Sequence, residues 1–345
     1  MTRTAVVICP GRGTYGKEEL GYLKRHHADR MALFSAFDAV CAEEDAKGVV
    51  ELDAAERFSL ATYTRGDVAS PLIYAASFAD AAALADDIEV VAVTGNSMGW
   101  YIALAVAGAL SPVDGFRVVN TMGGLMQQHL IGGQLIYPFM EGDWQNAPEQ
   151  RAALLQAVAE IDAEADCVLA RSIELGGMLV LAGNEAGLAR FEATQPKVQD
   201  RFPMRLPNHA AFHTALQQPV AEAGQEALAA LDFGQPERPM IDGRGHVWWP
   251  QASDPDALRD YTLGHQVTEA YDFSAAIRAA AVEFAPDLFI VTGPGATLGG
   301  AVAQSLIRCQ WRGMTSKATF QALQREAPLL VSMGMAEQRP WVTAA

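Results

Sequence analysis

The chain reads as an α/β protein, with an α/β-hydrolase-like large domain built on a parallel central sheet and a small inserted ferredoxin-like α+β subdomain. Three observations predict this. A compact β-rich run, TAVVIC at residues 4–9, stops at the turn Pro10-Gly-Arg-Gly13. A second such run, EVVAVT at 89–94, gives way through GNSMG to helix-favouring residues. Between residues 130 and 199 the order of elements changes to β-α-β-β-α, the signature of a separate two-layer module.

Taken in order, the first run is a buried strand, the PGRG turn that follows is a glycine-rich loop, and helix-favouring sequence resumes from Lys17. An alanine-rich helix is expected from about Pro71 to Ala85, then the strand over 89–94, then a helix from Met98 to Leu110. GGQLIYPFM opens the inserted module. A helix near Pro148 to Ala163, the runs CVLARSI and GGMLVLAG, and a helix from Asn184 complete it. The main body returns near Phe202, so the large domain comprises 1–129 and 200–345 around an insert at 130–199. A late strand over Asp287 to Thr292 meets the turn Gly293-Pro-Gly-Ala, and the last few residues are expected to be loose.

With 345 residues, half of them hydrophobic, the chain is long enough to bury a large core. Its formal net charge of -16 repels phosphate backbones and anionic lipid, which argues against nucleic acid and membrane surfaces as partners. Cys9, Cys41, Cys167 and Cys309 lie too far apart for paired ligand spacing, so neither a disulfide framework nor a structural zinc is expected. No stretch approaches the roughly 18 apolar residues of a membrane span, and a reducing cytoplasm is the expected location.

Ser97 stands between Gly95 and Gly99 where strand passes to helix. Small residues two before and two after let the two elements approach closely enough to lift a serine hydroxyl out of the backbone as a nucleophile. The alternative is a small residue in a tight turn. An attacking serine needs a base, and histidine titrates in the useful range. His26 and His27 sit in the charged run KRHHADR and read as a solvated helix face, while His129 and His246 have no informative neighbours. His209, His213 and His265 remain, and the residues alone do not rank them. The loops at Gly11–Gly13 and Gly293–Gly295 lack the lysine ending of a nucleotide P-loop and the full dinucleotide fingerprint, so they read as tight turns. No ligand spacing for a metal stands beside Ser97.

PGRGTY at 10–15, GNSMG at 95–99, LPNHAAFHT at 206–214, QVT at 266–268 and TGPGATLGG at 292–300 occur in one order. In this the chain resembles the malonyl-CoA:acyl carrier protein transacylase family, which includes the acyltransferase domains of fatty acid and polyketide synthases. The resemblance implies that Ser97 carries the acyl group and that His213 is its base. It implies too that the main-chain carbonyl of Gln266 fixes the useful histidine tautomer in place of a carboxylate. The main-chain N–H groups of Arg12 and Met98 match the oxyanion hole. No cofactor is implied, because acyl-CoA and phosphopantetheine act as substrates, and an acyl carrier protein is the implied partner.

Departures from the family pattern concern the acyl group. Relatives that take malonyl groups usually carry an arginine where this chain has Met122, and that arginine pairs with the free carboxylate. A carboxylate against a thioether would be an unpaired buried charge costing several kcal/mol. An uncharged acyl group is therefore expected unless another cation, such as Arg12 or Arg205, enters the pocket. Asn96 replaces the usual histidine and Trp100 the usual glutamate, so Asn96, Trp100, Met122 and Phe212 are the expected walls of the acyl pocket, with core packing the alternative for Trp100 and Met122. Arg308, Arg312 and Lys317 form a local basic cluster for an acidic carrier, or else a solvated helix face. Two other functions stay open: an acyl-thioester hydrolase that clears carrier protein, and a non-catalytic carrier-protein docking module.

Overall fold

The computed structural model describes residues 2–344. Its strands are β1 (Arg3–Cys9), β2 (Ile88–Gly95), β3 (Gly133–Pro138), β4 (Leu169–Leu175), β5 (Met178–Gly183), β6 (Met204–Arg205), β7 (Met240–Ile241), β8 (Val247–Trp248), β9 (Tyr271–Asp272), β10 (Leu288–Val291) and β11 (Leu330–Ser332). The larger sheet has the order β11-β10-β1-β2-β7-β8 and is parallel except for the β7/β8 hairpin. Residues 5–9 of β1 are completely buried, as a central strand covered on both faces requires, which is why this segment is an unbroken apolar run rather than an alternating one.

The smaller sheet has the order β6-β3-β5-β4-β9. With helices Pro148–Asp162 and Glu185–Thr194, its first four strands run β-α-β-β-α-β, and their pairings are antiparallel. That is the ferredoxin-like arrangement. Its edges extend past the expected 130–199: β6 lies just beyond the insert, and β9 joins β4 in parallel from the large domain. Strands of two residues carry too little periodicity to be seen in sequence.

Several helices differ from expectation. The alanine-rich helix spans Gly66–Ala81 and contains Pro71. The helix begins five residues before the expected start at Pro71 and tolerates the missing proline N–H inside its second turn. The helix after Ser97 is Gly99–Val106, and a long helix Pro112–His129, capped by the Ser111 hydroxyl accepting from the Asp114 N–H, follows it. The chain end is not loose as far as residue 343. Val342 is fully buried, its carbonyl accepts from the Ala85 N–H at 2.9 Å, and Arg339 joins a buried network with Asp80. His27 belongs to that network and is fully buried, not solvated, because Asp80 accepts from its ring at 2.7 Å. Among the described residues, no helix is long and apolar enough to cross a membrane.

Candidate active site

Ser97 follows β2 directly and precedes helix Gly99–Val106. Its φ of 54° lies in the left-handed region, a conformation that costs a non-glycine residue on the order of 1–3 kcal/mol. The flanking glycines make it attainable. A Cβ on Gly95 would come within 2.1 Å of the Gly99 main chain, and one on Gly99 within 2.2 Å of the Cys9 carbonyl. The elbow is closed by backbone-to-backbone contact that no side chain could enter.

His213 also has a positive φ, 62°, and its N–H donates to the Val267 carbonyl at 2.8 Å. The ring lies between two partners. Nδ1–H donates to the Gln266 main-chain carbonyl at 2.6 Å. Since a carbonyl only accepts, the proton sits on Nδ1, and Nε2 is left to accept from the Ser97 hydroxyl at 2.7 Å. Burial pulls this imidazole from its ordinary 6.5 to about 4, with the Gln266 carbonyl opposing the shift. The ring is therefore neutral at pH 7. His209, pulled down to about 3 by burial and by the Arg12 charge, hydrogen-bonds with the Pro207 carbonyl instead, and His265 stacks on Tyr261. Of the three open histidines, His213 alone meets Ser97.

Beside Ser97 lies a cavity of about 470 Å³ lined also by Gly11, Arg12, Asn96, Met98 and Gln266, with an apolar wall including Val119, Met122, Met126, Ile136, Val180 and Phe212. Neither the Arg12 nor the Met98 main-chain N–H has a hydrogen-bond partner among the described residues, so both donors remain open to a ligand. Asn96 Oδ1 is likewise buried without a partner. Met122 is 2% exposed, on the helix Pro112–His129, and Arg117 of the same helix points away to pair with Glu43. Arg205 is held by Glu185 and Glu192. The Arg12 side chain donates to the Asn208 carbonyl at 3.0 Å and has no carboxylate partner among the described residues, and burial lowers it to about 10.

Trp100 is not part of this wall. It is fully buried, its Nε1–H donates to Thr262 Oγ1 at 3.0 Å, and its ring meets Tyr261 edge-on, so it is core packing. Other residues support the site without having been expected. Tyr101 donates from its hydroxyl to Gln266 Oε1 at 2.8 Å, and Gln266 Nε2 donates to the Ser97 carbonyl at 3.0 Å. Tyr271 donates to the Gly95 carbonyl at 2.6 Å. Ser172 donates to the Phe212 carbonyl at 2.8 Å and accepts from Gln134 Nε2, tying the smaller sheet to the histidine segment. Tyr101 had a signal only in its nearness, since it lies in the first turn of the helix that follows Ser97. The others come from strands distant in sequence.

Fold and geometry together define an α/β protein whose strand–turn–helix elbow presents a serine hydroxyl to a neutral, carbonyl-fixed histidine. No family model matches the chain. A malonyl-CoA:acyl carrier protein transacylase of Salmonella typhimurium is 26% identical over 206 residues, 60% of this chain and 63% of that protein. A polyketide synthase of Streptomyces halstedii is 28% identical over 209 residues, 60% of this chain and 3% of the synthase. The chain thus spans less than two thirds of the length of these curated relatives. Among solved structures, a malonyl-CoA:acyl carrier protein transacylase from Xanthomonas oryzae superposes with a TM-score of 0.75 at 20% identity, covering 98% of this chain and 97% of that one. A type II polyketide acyl carrier protein in complex with its malonyl-transacylase contains a chain that matches with a TM-score of 0.70 at 20% identity, over 88% of this chain and 93% of that one. The chain is a relative, in sequence and in fold, of the malonyl-CoA:acyl carrier protein transacylase family.

Proposed function

We propose that this protein transfers an acyl group from a CoA thioester to the phosphopantetheine of an acyl carrier protein through an ester on Ser97. The observation that carries the reading is the hydrogen-bond relay from Ser97 Oγ to His213 Nε2 and from Nδ1 to the Gln266 carbonyl, beside a cavity that Ser97 and Gln266 line. Ser97 Oγ attacks the thioester carbonyl as His213 Nε2 takes its proton. The Arg12 and Met98 N–H groups stabilise the oxyanion. Collapse of the intermediate breaks the carbon–sulfur bond, and the imidazolium returns its proton to the departing thiolate. The carrier's thiol then gives its proton to His213 and attacks the ester, and the same proton returns to Ser97. No further cofactor enters this ping-pong scheme.

The acyl group in this reading carries no free carboxylate, because Met122 and its apolar neighbours offer no charge-assisted partner. One observation supports a second reading of the substrate: Arg12 is a cavity cation with no carboxylate of the protein against it, and an acyl carboxylate would supply one. Intact-protein mass spectrometry after mixing with acetyl-, malonyl- and longer acyl-CoA, with Ser97→Ala as control, separates the two. A stable adduct from uncharged donors supports the first, a malonyl adduct that disappears in Arg12→Gln supports the second, and no adduct from any donor favours a docking module. An adduct that decays in buffer as fast as with carrier protein identifies a hydrolase.

A further inference from the structure

An acidic carrier protein approaching a chain of net charge -16 is repelled at long range, so a productive encounter needs a local surface of the opposite sign. Such a surface exists outside the cavity. Glu174 is 1% exposed and is surrounded by three guanidinium groups: Arg151 and Arg308 each approach at 2.6 Å and Arg171 at 2.9 Å. One carboxylate against three cations leaves two positive charges in excess. The carboxylate is buried while the arginines stay 19–30% exposed, so the outward face is cationic.

Arg151 and Arg308 border a depression of about 340 Å³ together with Arg278, which is exposed and pairs with no carboxylate among the described residues. The one acid on its lining, Asp272, is half-buried and accepts from the Ala275 N–H, and burial raises its carboxyl above its ordinary range. Beyond it, Lys317 Nζ lies 4.9 Å from the Trp144 ring and Arg312 4.3 Å from that of Trp311, again without a carboxylate partner among the described residues. Helix Leu298–Arg308 joins this face to the active site, since Leu298 and Ala301 line the cavity and Arg308 stands at the other end. Eleven residues span about 16 Å, comparable with the reach of an extended pantetheine arm.

We propose that the face formed by Arg151, Arg278 and Arg308 and continued by Arg312 and Lys317 is the docking surface for an acidic acyl carrier protein. It rests on the transfer reading for its partner. The sequence-local cluster is thereby extended, since Arg151 and Arg278 come from two other helices, and Arg308 is split between Glu174 and the surface.

The test uses the full chain carrying Arg278→Glu, Arg312→Glu and Lys317→Glu, which spares the pairs around Glu174. With purified holo-acyl carrier protein as acceptor, kcat/KM falls about tenfold or more, through KM, and the salt dependence flattens. Self-acylation from acyl-CoA and transfer to free pantetheine stay unchanged. Titration of carrier protein into Ser97→Ala, with and without the three substitutions, reads docking independently of chemistry and shows the same loss. Wild-type transfer and binding by the triple variant overturn the surface, as does an equal loss toward free pantetheine. Failure of the unmodified chain to acylate at all would sink the transfer reading, while the titration would still decide the surface.

Discussion

Gln266 grips both members of the reacting pair: its main-chain carbonyl accepts from His213 Nδ1–H at 2.6 Å while its side-chain amide donates to the main-chain carbonyl of Ser97 at 3.0 Å. The orienter of the base is thereby tied to the strained turn that carries the nucleophile. Because the histidine contact is a main-chain one, Gln266→Ala keeps it and loses only the clamp. Acylation in that variant is expected to fall less than in His213→Ala, measured as single-turnover rates.

Tyr101 completes the clamp by donating from its buried hydroxyl to Gln266 Oε1. Tyr101→Phe leaves that oxygen unpaired, at a cost of about 1–3 kcal/mol. Denaturant unfolding should show that loss, accompanied by a lower kcat with KM nearly unchanged. A kcat equal to wild type would separate Tyr101 from the positioning of the base.

The pH dependence follows from the depressed His213. Its ordinary value is 6.5 and its folded value is about 4, so between these the unfolded chain binds more protons than the folded one. Stability therefore decreases as pH falls through this window and is fully retained above it. His209, brought down to about 3, acts in the same direction. The acylation rate is expected to hold level from pH 8 to 6 and to decline only toward pH 4, read by stopped acylation time courses at each pH. A limb centred at 6.5 would mean an imidazole open to water.

Met122 separates donors. Met122→Arg places a guanidinium fork against the apolar wall, and pairing with an acyl carboxylate is worth about 1.5–3 kcal/mol. Preference for malonyl- over acetyl-CoA should rise about 10- to 100-fold, while the free variant is destabilised by its unpaired charge. An unchanged ratio of kcat/KM values would place the acyl group elsewhere in the cavity.

The central elements were legible because they obey one-dimensional rules. The β1 and β2 runs are continuous and apolar, and Gly95 and Gly99 announce an elbow whose close contacts tolerate no side chain. Ser97, His213 and Gln266 could be named from motif order, although residue types alone left His209 and His265 equal to His213. What stayed hidden depends on contacts between distant segments. Whether Trp100 faces the cavity or Thr262 is decided by the rotation of one helix, and His27 looked solvated because Asp80 and Arg339 are remote in sequence. The two-residue edge strands β6 and β9 exist only because neighbours extend to meet them.

The most direct measurement of the account is peptide-mapped mass spectrometry of the chain after brief exposure to acyl-CoA, comparing wild type, Ser97→Ala and His213→Ala. The acyl group should reside on the peptide containing Ser97, be absent from Ser97→Ala, and form about 10²- to 10⁴-fold more slowly in His213→Ala. An acyl group on another residue, or undiminished labelling of either variant, would contradict the reading of Ser97 and His213 as nucleophile and base.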